Sequence, residues 1–456
     1  MPRLDFSIRS VVAPEEEAFG PEKPTWAQLE LRVDDMALTR HVSHEPLSIS
    51  SAVVEDAVEG PLCGVAEWFV DNFAEFLWET HVPVPKHSSF EGQRVAIPDL
   101  REAAGWWQDF APLTDLRALA TWQQRHTLGA TTTQLALPSL VFLAEADRIG
   151  LFVSQLPGKL APNVRFRLPE GCAEFWLDRD SLRETASEFV DDVLRLAADS
   201  EDGRKWSEWL QARWQDAKQR ESSIVERRRL RFGRAVADVW DERVEPLGGK
   251  REVLEGVLSD IAPLGTAESL DLLVRALPDD GRRAGDRRWT GLIQDSPLTS
   301  GRAYDQGYEL ARKVRKELNR GSDPIDRVDV LLSEIDIQDA EAESGGLFRT
   351  LACLQDRNAS VVVSRDVKGV IPRRVALAEA LGRFLFEARG RDWGAANSEQ
   401  SRWQETRRAG AFAAELLAPA EAVRGYPDDP ERLAEDYGIS LGSARWRIKN
   451  VFHPPP

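Results

Sequence analysis

Two segments of helical period near the C-terminus, ALAEALGRF (376–384) and AGAFAAELLAP (409–419), constrain the fold of this chain more than any other feature. Each reads as an amphipathic or largely buried helix. A hairpin pattern precedes them: in GLFRTLACLQDRNASVVVSRDV (346–367), two apolar runs flank a turn at Asp356, Arg357 and Asn358. A helical pair follows them, ERLAEDYGISLGSARWRIKNV (431–451), with Gly438 at the break. Two further segments lie upstream, a helix at YDQGYELARKVRKEL (304–318) and a helix running into a strand at DPIDRVDVLLSEIDI (323–337).

The rest of the chain divides by period. Up to about residue 175 the pattern is mixed. LDFSIRSVV (4–12) and LELRVDDMAL (29–38) alternate as strands do, and LPSLVFLAEADRIGLFVSQL (137–156) reads as a hairpin turning through 145–148. LCGVAEWFVDNFAEFLWE (62–79) changes period: Leu62, Ala66, Phe69, Phe73, Phe76 and Leu77 share one helix face. TDLRALATWQQRHTL (114–128) is a further helix or an extended connector. From about Ser181 the period is helical, with Asp178 or Asp180 as cap and Leu182, Phe189, Val193 and Leu196 on one stripe. Trp206, Trp209 and Leu210 are expected to pack inward. LPDDGRRAGDRRW (277–289) combines Pro, Gly and charge without periodicity and reads as a linker. The expected organisation is an α+β protein. It has a mixed α/β region at 1–175, a helical region at 176–285 and a compact helical domain with a small sheet at 290–456.

Composition narrows the function. The formal charge of −17 does not suit a protein whose main task is to wrap DNA or lie on an anionic membrane. Hydropathy gives no transmembrane segment, and the N-terminal MPRLDFSIRSVV lacks the apolar core of a signal peptide. The three cysteines, Cys63, Cys172 and Cys353, are far apart and form no CxxC, which fits a reducing cytosol and supports neither a disulfide framework nor a thiolate zinc site. There is no GxSxG elbow, and PLGGK (246–250) lacks the spacing of a phosphate loop. His41 with His44, and His81 with His87, have no acidic or thiol companions at metal-ligand spacing, so they read as surface or core residues. The basic run ERRRLRFGR (226–234) reads as a helix face paired with neighbouring acids.

The order of elements from 304 to 451 resembles the ImmA/IrrE family of metallopeptidases over about a third of the chain. The matching residues are Arg374, Ala376, Leu377, Ala378, Leu381 and Gly382, then Ala409, Phe412, Ala413, Ala414, Glu415, Leu416, Leu417 and Pro419, and finally Leu433, Ala434, Tyr437, Gly438, Ile439, Ser440 and Asn450. In that family a helix carries HExxH. Two histidines at i and i+4 grip one Zn²⁺, the intervening glutamate activates water, and a glutamate of the next helix is the third ligand. Here the histidine positions are Glu379 and Arg383, the catalytic glutamate position is Ala380, and the third-ligand position falls on Thr406. The neighbouring Glu405 is one residue away, a rotation of about 100° on a helix.

The six histidines stand at 41, 44, 81, 87, 126 and 453, so these helices contain no imidazole. Arg383 would repel a divalent cation and cannot lose its proton to become a ligand. The simplest expectation is a Glu379–Arg383 ion pair at i, i+4. No metal, cofactor or catalytic residue is therefore expected. The resemblance implies a pseudoenzyme of the bacterial cytoplasm that binds protein partners in stress response, repressor control or defence against mobile elements. A groove around Glu379, Arg383 and Glu405 would hold a peptide without cutting it. Two alternatives remain at this point. One is an active metallopeptidase with a carboxylate-only site. The other is a DNA-binding regulator that uses the C-terminal helical pair, with Arg445 and Arg447 as its contacts.

Overall fold

The computed structural model describes residues 2–14, 18–44, 52–80, 113–129, 135–145, 148–154, 164–168, 172–261, 264, 266–278, 288–294, 303–388, 392–397 and 403–452. The chain forms two compact units, residues 1–231 and 232–456, and both mix helices with small sheets in an α+β architecture. The linker reading of 277–289 falls mostly outside the described residues, and the division between units lies upstream of it.

Among its described residues, the first unit forms three antiparallel sheets. In one, β1 (Leu4–Ser10) pairs with β2 (Trp26–Val33), which also pairs with β3 (Met36–Ala37) and β6 (Val58–Pro61). A second sheet joins β4 (His41–His44) to β5 (Ala52–Glu55) and to β10 (Val164–Phe166). In the third, β11 (Cys172–Asp178), β9 (Arg148–Ser154), β8 (Ser139–Glu145) and β7 (Thr127–Leu128) lie in that order. The expected hairpin is the β8–β9 pair, in register from Ser139 with Ser154 to Glu145 with Arg148. Strand β2 alternates strictly between half-buried and buried residues, as a sheet with one face on a core must.

That core is supplied by helix α1 (Cys63–Trp78), with α3 (Arg179–Ala198) and α4 (Glu201–Ser222), while α2 (Leu113–His126) lies against α1, where the Trp68 indole donates to the Gln124 carbonyl at 2.8 Å. Phe69, Phe73 and Phe76 of α1 are at most 2% exposed, and the Phe76 ring meets each of the other two edge to face. Burial of each such ring is worth roughly 1.5–3 kcal/mol. Asp178 is the cap of α3, accepting the Ser181 amide at 2.8 Å. Leu182, Phe189 and Val193 are buried as the stripe predicts, whereas Leu196 is half-buried. Trp209 departs from expectation: it is 48% exposed, with Arg213 stacked on its ring at 4.6 Å. Its place inside is taken by Trp214, whose indole donates to Asp191 at 2.8 Å. Period alone does not say which of three closely spaced tryptophans faces the core.

The second unit is built on a four-stranded sheet in the order β12 (Ile337–Ala342), β14 (Asn358–Ser364), β13 (Thr350–Gln355), β15 (Trp393–Asn397), with β12 parallel to β14 and the other pairs antiparallel. The β13–β14 turn consists of Asp356 and Arg357, with φ of 47° and 66°. Two consecutive positive φ values define the two-residue hairpin turn whose twist matches the strands.

Alternate residues of the sheet enter different cores. Ala352, Leu354, Val361 and Val363 pack with α9 (Val370–Glu387), while Leu351, Cys353, Val362 and Ala396 pack with α5 (Lys250–Ile261) and α6 (Ala267–Ala276). This explains why TLACLQ and NASVVVS are buried almost continuously: both faces of the sheet are covered. It also corrects the expected helical region 176–285. Its first helices belong to the first unit, and α5 and α6 belong to the second, where they cover the far face of this sheet. Helical period reports local structure and not which core the apolar face joins.

The longer helices among the other described residues of this unit are α7 (Ala303–Glu317), α8 (Val328–Glu334), α9 (Val370–Glu387), α10 (Trp403–Leu417), α11 (Pro430–Tyr437) and α12 (Leu441–Phe452). Gly438 terminates α11 in the left-handed region at φ 53°, and a Cβ there would collide with Arg374. At Gly382, α9 presses on the Phe412 ring of α10, closely enough that a Cβ would lie 2.8 Å from it.

Candidate functional site

Helix α9 runs through the middle of the second unit, and Arg374, Leu377, Ala378, Ala380, Leu381 and Arg383 are all buried on it. The positions that the resemblance aligns with HExxH therefore lie on a largely buried helix. Arg383 is 2% exposed and does not turn to Glu379 as expected. Its Nε and Nη2 donate to the two carboxylate oxygens of Glu387 at 3.0 and 3.1 Å, and Nη2 lies 3.0 Å from Asp260 of α5. Nη1 donates to the carbonyl of Ala396 at 2.5 Å, and Asp260 accepts the Ala396 amide at 2.9 Å. The Arg383–Asp260 pair thus satisfies both backbone groups of one residue on the edge strand β15. Unpaired edge groups buried away from water are costly, so the pair has a structural reason to exist. The favourable acid-before-base order that pointed to Glu379 is outweighed by a bidentate carboxylate and a buried second acid.

Glu379 faces a different environment. Its carboxylate is 3.9 Å from Arg349 and lines a cleft of about 320 Å³ between α9, α10 and α12. Val375, Ala413, Ala414, Leu417, Ile439 and Trp446 form most of the apolar wall. Arg383 is not part of this lining. Glu405 and Thr406 lie on α10, and their side chains fall outside the described residues. The structure therefore separates the expected groove residues: Glu379 faces the cleft, and Arg383 is sealed behind it. Sequence reasoning missed the contribution of α12 to the cleft.

Arg447 also lines the cleft, but as a structural cation. It is 3% exposed, pairs with the buried Glu415 and donates to the Ala418 carbonyl at 2.9 Å. Glu415 in turn accepts from Arg312 at 3.0 Å. A buried, paired guanidinium cannot reach a phosphate backbone, which corrects the expectation that Arg447 contacts nucleic acid. Arg445 is exposed, 3.5 Å from Glu431. Arg374 donates to the carbonyls of Tyr437 and Gly438 at 2.8 and 2.9 Å, supplying donors to the C-terminal end of α11.

Other candidates resolve as structure. His41 is buried with Nδ1 at 3.0 Å from the Thr39 carbonyl, while His81, His87 and His453 lie outside the described residues, as does the side chain of His44. His126 is fully buried between the Phe142 carbonyl (2.9 Å) and Glu79 (3.0 Å), stacked on Trp122. Burial works to raise the Glu79 carboxyl, but hydrogen bonds and charge from His126 and Arg125 outweigh it and hold that carboxyl below its usual range. In the basic run, Arg227 and Arg229 pair with Glu221 and Glu226. Burial pushes the Cys353 thiol up to about 12, so it is an inert core residue.

Zn²⁺, the metal the resemblance implies, does not fit the residues present. Arg383 brings a fixed cation to a ligand position, Ala380 brings no base, and Asp260 and Glu387 are already engaged by the guanidinium. Among the described residues no cluster of three or more His, Cys, Asp or Glu side chains is arranged to hold a metal ion. No helix among them is long and apolar enough to cross a membrane. No family model matches this chain, and neither does any curated protein sequence.

Proposed function

We propose that this chain is a non-catalytic relative of the ImmA/IrrE metallopeptidases, a cytoplasmic protein that acts by binding a protein partner in bacterial stress response or defence against mobile elements. The observation that carries this reading is the buried Arg383, held by Glu387 and Asp260 at a position where hydrolysis would need a metal ligand. An ion pair fixed by four hydrogen-bonding contacts stabilises the helix–sheet junction and offers nothing to polarise a peptide carbonyl. The adjacent cleft survives as a concave apolar surface, the shape that binding uses when chemistry is lost. The burial of Arg447 speaks against DNA reading by the C-terminal pair.

The test is hydrolysis of quenched-fluorescent peptides by the full chain with Zn²⁺, Mn²⁺ or chelator added. The expected result is the same background rate in all three conditions. Metal-dependent cleavage that disappears in Glu379→Ala would overturn the reading.

A further inference from the structure

We propose that Arg408 of α10 binds an oxyanion: its guanidinium takes a carboxylate or phosphate group that the described residues do not supply. The inference does not rest on the non-catalytic reading above, because Arg408 stands outside the network of Arg383, Glu387 and Asp260.

Arginine carries its charge at every pH a protein meets, so a buried one needs acids or carbonyls to receive its five N–H groups. The other buried arginines described in this unit obey that rule. Arg315 and Arg374 donate to backbone carbonyls, among them those of Gly321 at 2.7 Å and Tyr437 at 2.8 Å. Arg383 and Arg447 hold carboxylates. Arg408 departs from it. The residue is 8% exposed, and its Nε is buried with no hydrogen-bond partner. Among the described residues its charge meets the Phe386 ring, with 5.2 Å from the guanidinium carbon to the ring centre, and no carboxylate or carbonyl accepts from it.

Nothing in this surrounding answers the charge in full. Phe386 is buried close to the C-terminus of α9, where the ring face and the last carbonyls of the helix both attract a cation. Neither returns what an ion loses on leaving water. A buried polar group left unsatisfied in a native fold calls for a reason, and a site kept for a ligand at the expense of stability is one.

The guanidinium also selects the ligand. Packing on the aromatic ring holds the fork in place, which lessens the freedom lost when an anion docks. The two terminal nitrogens are the part of the group that is not enclosed, so a ligand meets them end-on. Carboxylate and phosphate present two oxygens at the spacing of that fork, and an apolar or cationic ligand gains nothing there. The net charge of −17 repels anions from the chain in general, so their binding is expected to depend on this one residue.

The experiment uses the full chain with inorganic phosphate and, separately, acetate, each compared with chloride at equal ionic strength. Binding is read from the rise of the thermal midpoint with anion concentration. Phosphate also stabilises folded proteins by exclusion from their surface, so the readout is the difference between wild type and variant. The wild type is expected to bind at least one of the two anions with a Kd in the millimolar range, and Arg408→Lys and Arg408→Met at least about tenfold more weakly. A response to acetate alone identifies a carboxylate site, and a response to phosphate alone a phosphate site. Without added anion, Arg408→Met removes the charge and keeps the packing on Phe386, so it is expected to melt at or above the wild-type midpoint. A clear fall in that midpoint would reveal an internal partner for the guanidinium and overturn the proposal. Anion responses that are the same in wild type and Arg408→Lys would overturn it as well. Neither result touches peptide hydrolysis, so the non-catalytic reading stands or falls separately.

Discussion

Replacing Arg383 with alanine is expected to destabilise the second unit by about 3–5 kcal/mol, a large share of the roughly 5–15 kcal/mol by which domains are ordinarily stable. The size follows from what is left behind. Asp260, with its side chain 3% exposed, and Glu387 would face each other without the cation that holds them, and the Ala396 carbonyl would lose its donor. Breaking a buried pair by removing one partner strands a desolvated charge, which is far worse than losing a surface bridge of about 0–1 kcal/mol. Arg383→Lys retains the charge but loses the fork that reaches Glu387, Asp260 and Ala396 together, so an intermediate loss is expected. Denaturant unfolding, with amide exchange read in α9 and β15, checks both. Wild-type stability for Arg383→Ala would mean that the guanidinium does not hold this junction.

The second large effect is expected where α5 crosses β15. A Cβ added at Gly256 would fall on the carbonyl oxygen of Gly394, and one added at Gly394 would fall on the carbonyl oxygen of Val253. Both obstacles are backbone and cannot swing aside as a side-chain end does. The helix must lift off the strand, and Asp260, one turn along α5 from Gly256, loses its reach to Arg383 and Ala396. Gly256→Ala and Gly394→Ala are each expected to cost about 3 kcal/mol or more, the range of severe overpacking. Gly410→Ala is the matched control. A Cβ there meets nothing, so it is expected to be neutral or to stabilise by up to about 1 kcal/mol through helix propensity. Thermal unfolding of the three variants separates a glycine required by close packing from one that packing does not require.

Much of this architecture is legible in the sequence because it is local. The β8–β9 and β13–β14 hairpins, the Asp178 cap and the Gly438 break all follow from alternation, turn residues and capping chemistry within a few positions. The absence of imidazole from α9 and α10 is equally plain. What the sequence hides is long-range. Glu387 stands four residues after Arg383, and i, i+4 spacing does not by itself choose between it and Glu379. Asp260 lies on a helix far upstream, and nothing in its own segment, VLEGVLSDIA, marks it as the partner of Arg383. The same holds for α5 and α6, whose helical period gave no sign that they would cover a sheet formed by strands nearly a hundred residues later. Arg445 and Arg447 are alike in composition and local pattern. Only the buried Glu415 distinguishes the structural arginine from the exposed one.

On the proposed reading, the Arg383 ion pair stands where a peptide-hydrolysing relative would hold its metal. Titration of the purified, chelator-treated full chain with Zn²⁺, followed by metal quantification after gel filtration, tests it most directly. The account predicts no metal retained above the level of an unrelated control protein, in the wild type and in Glu379→Ala alike. One equivalent of Zn²⁺ retained by the wild type and lost on replacing Glu379 would contradict it.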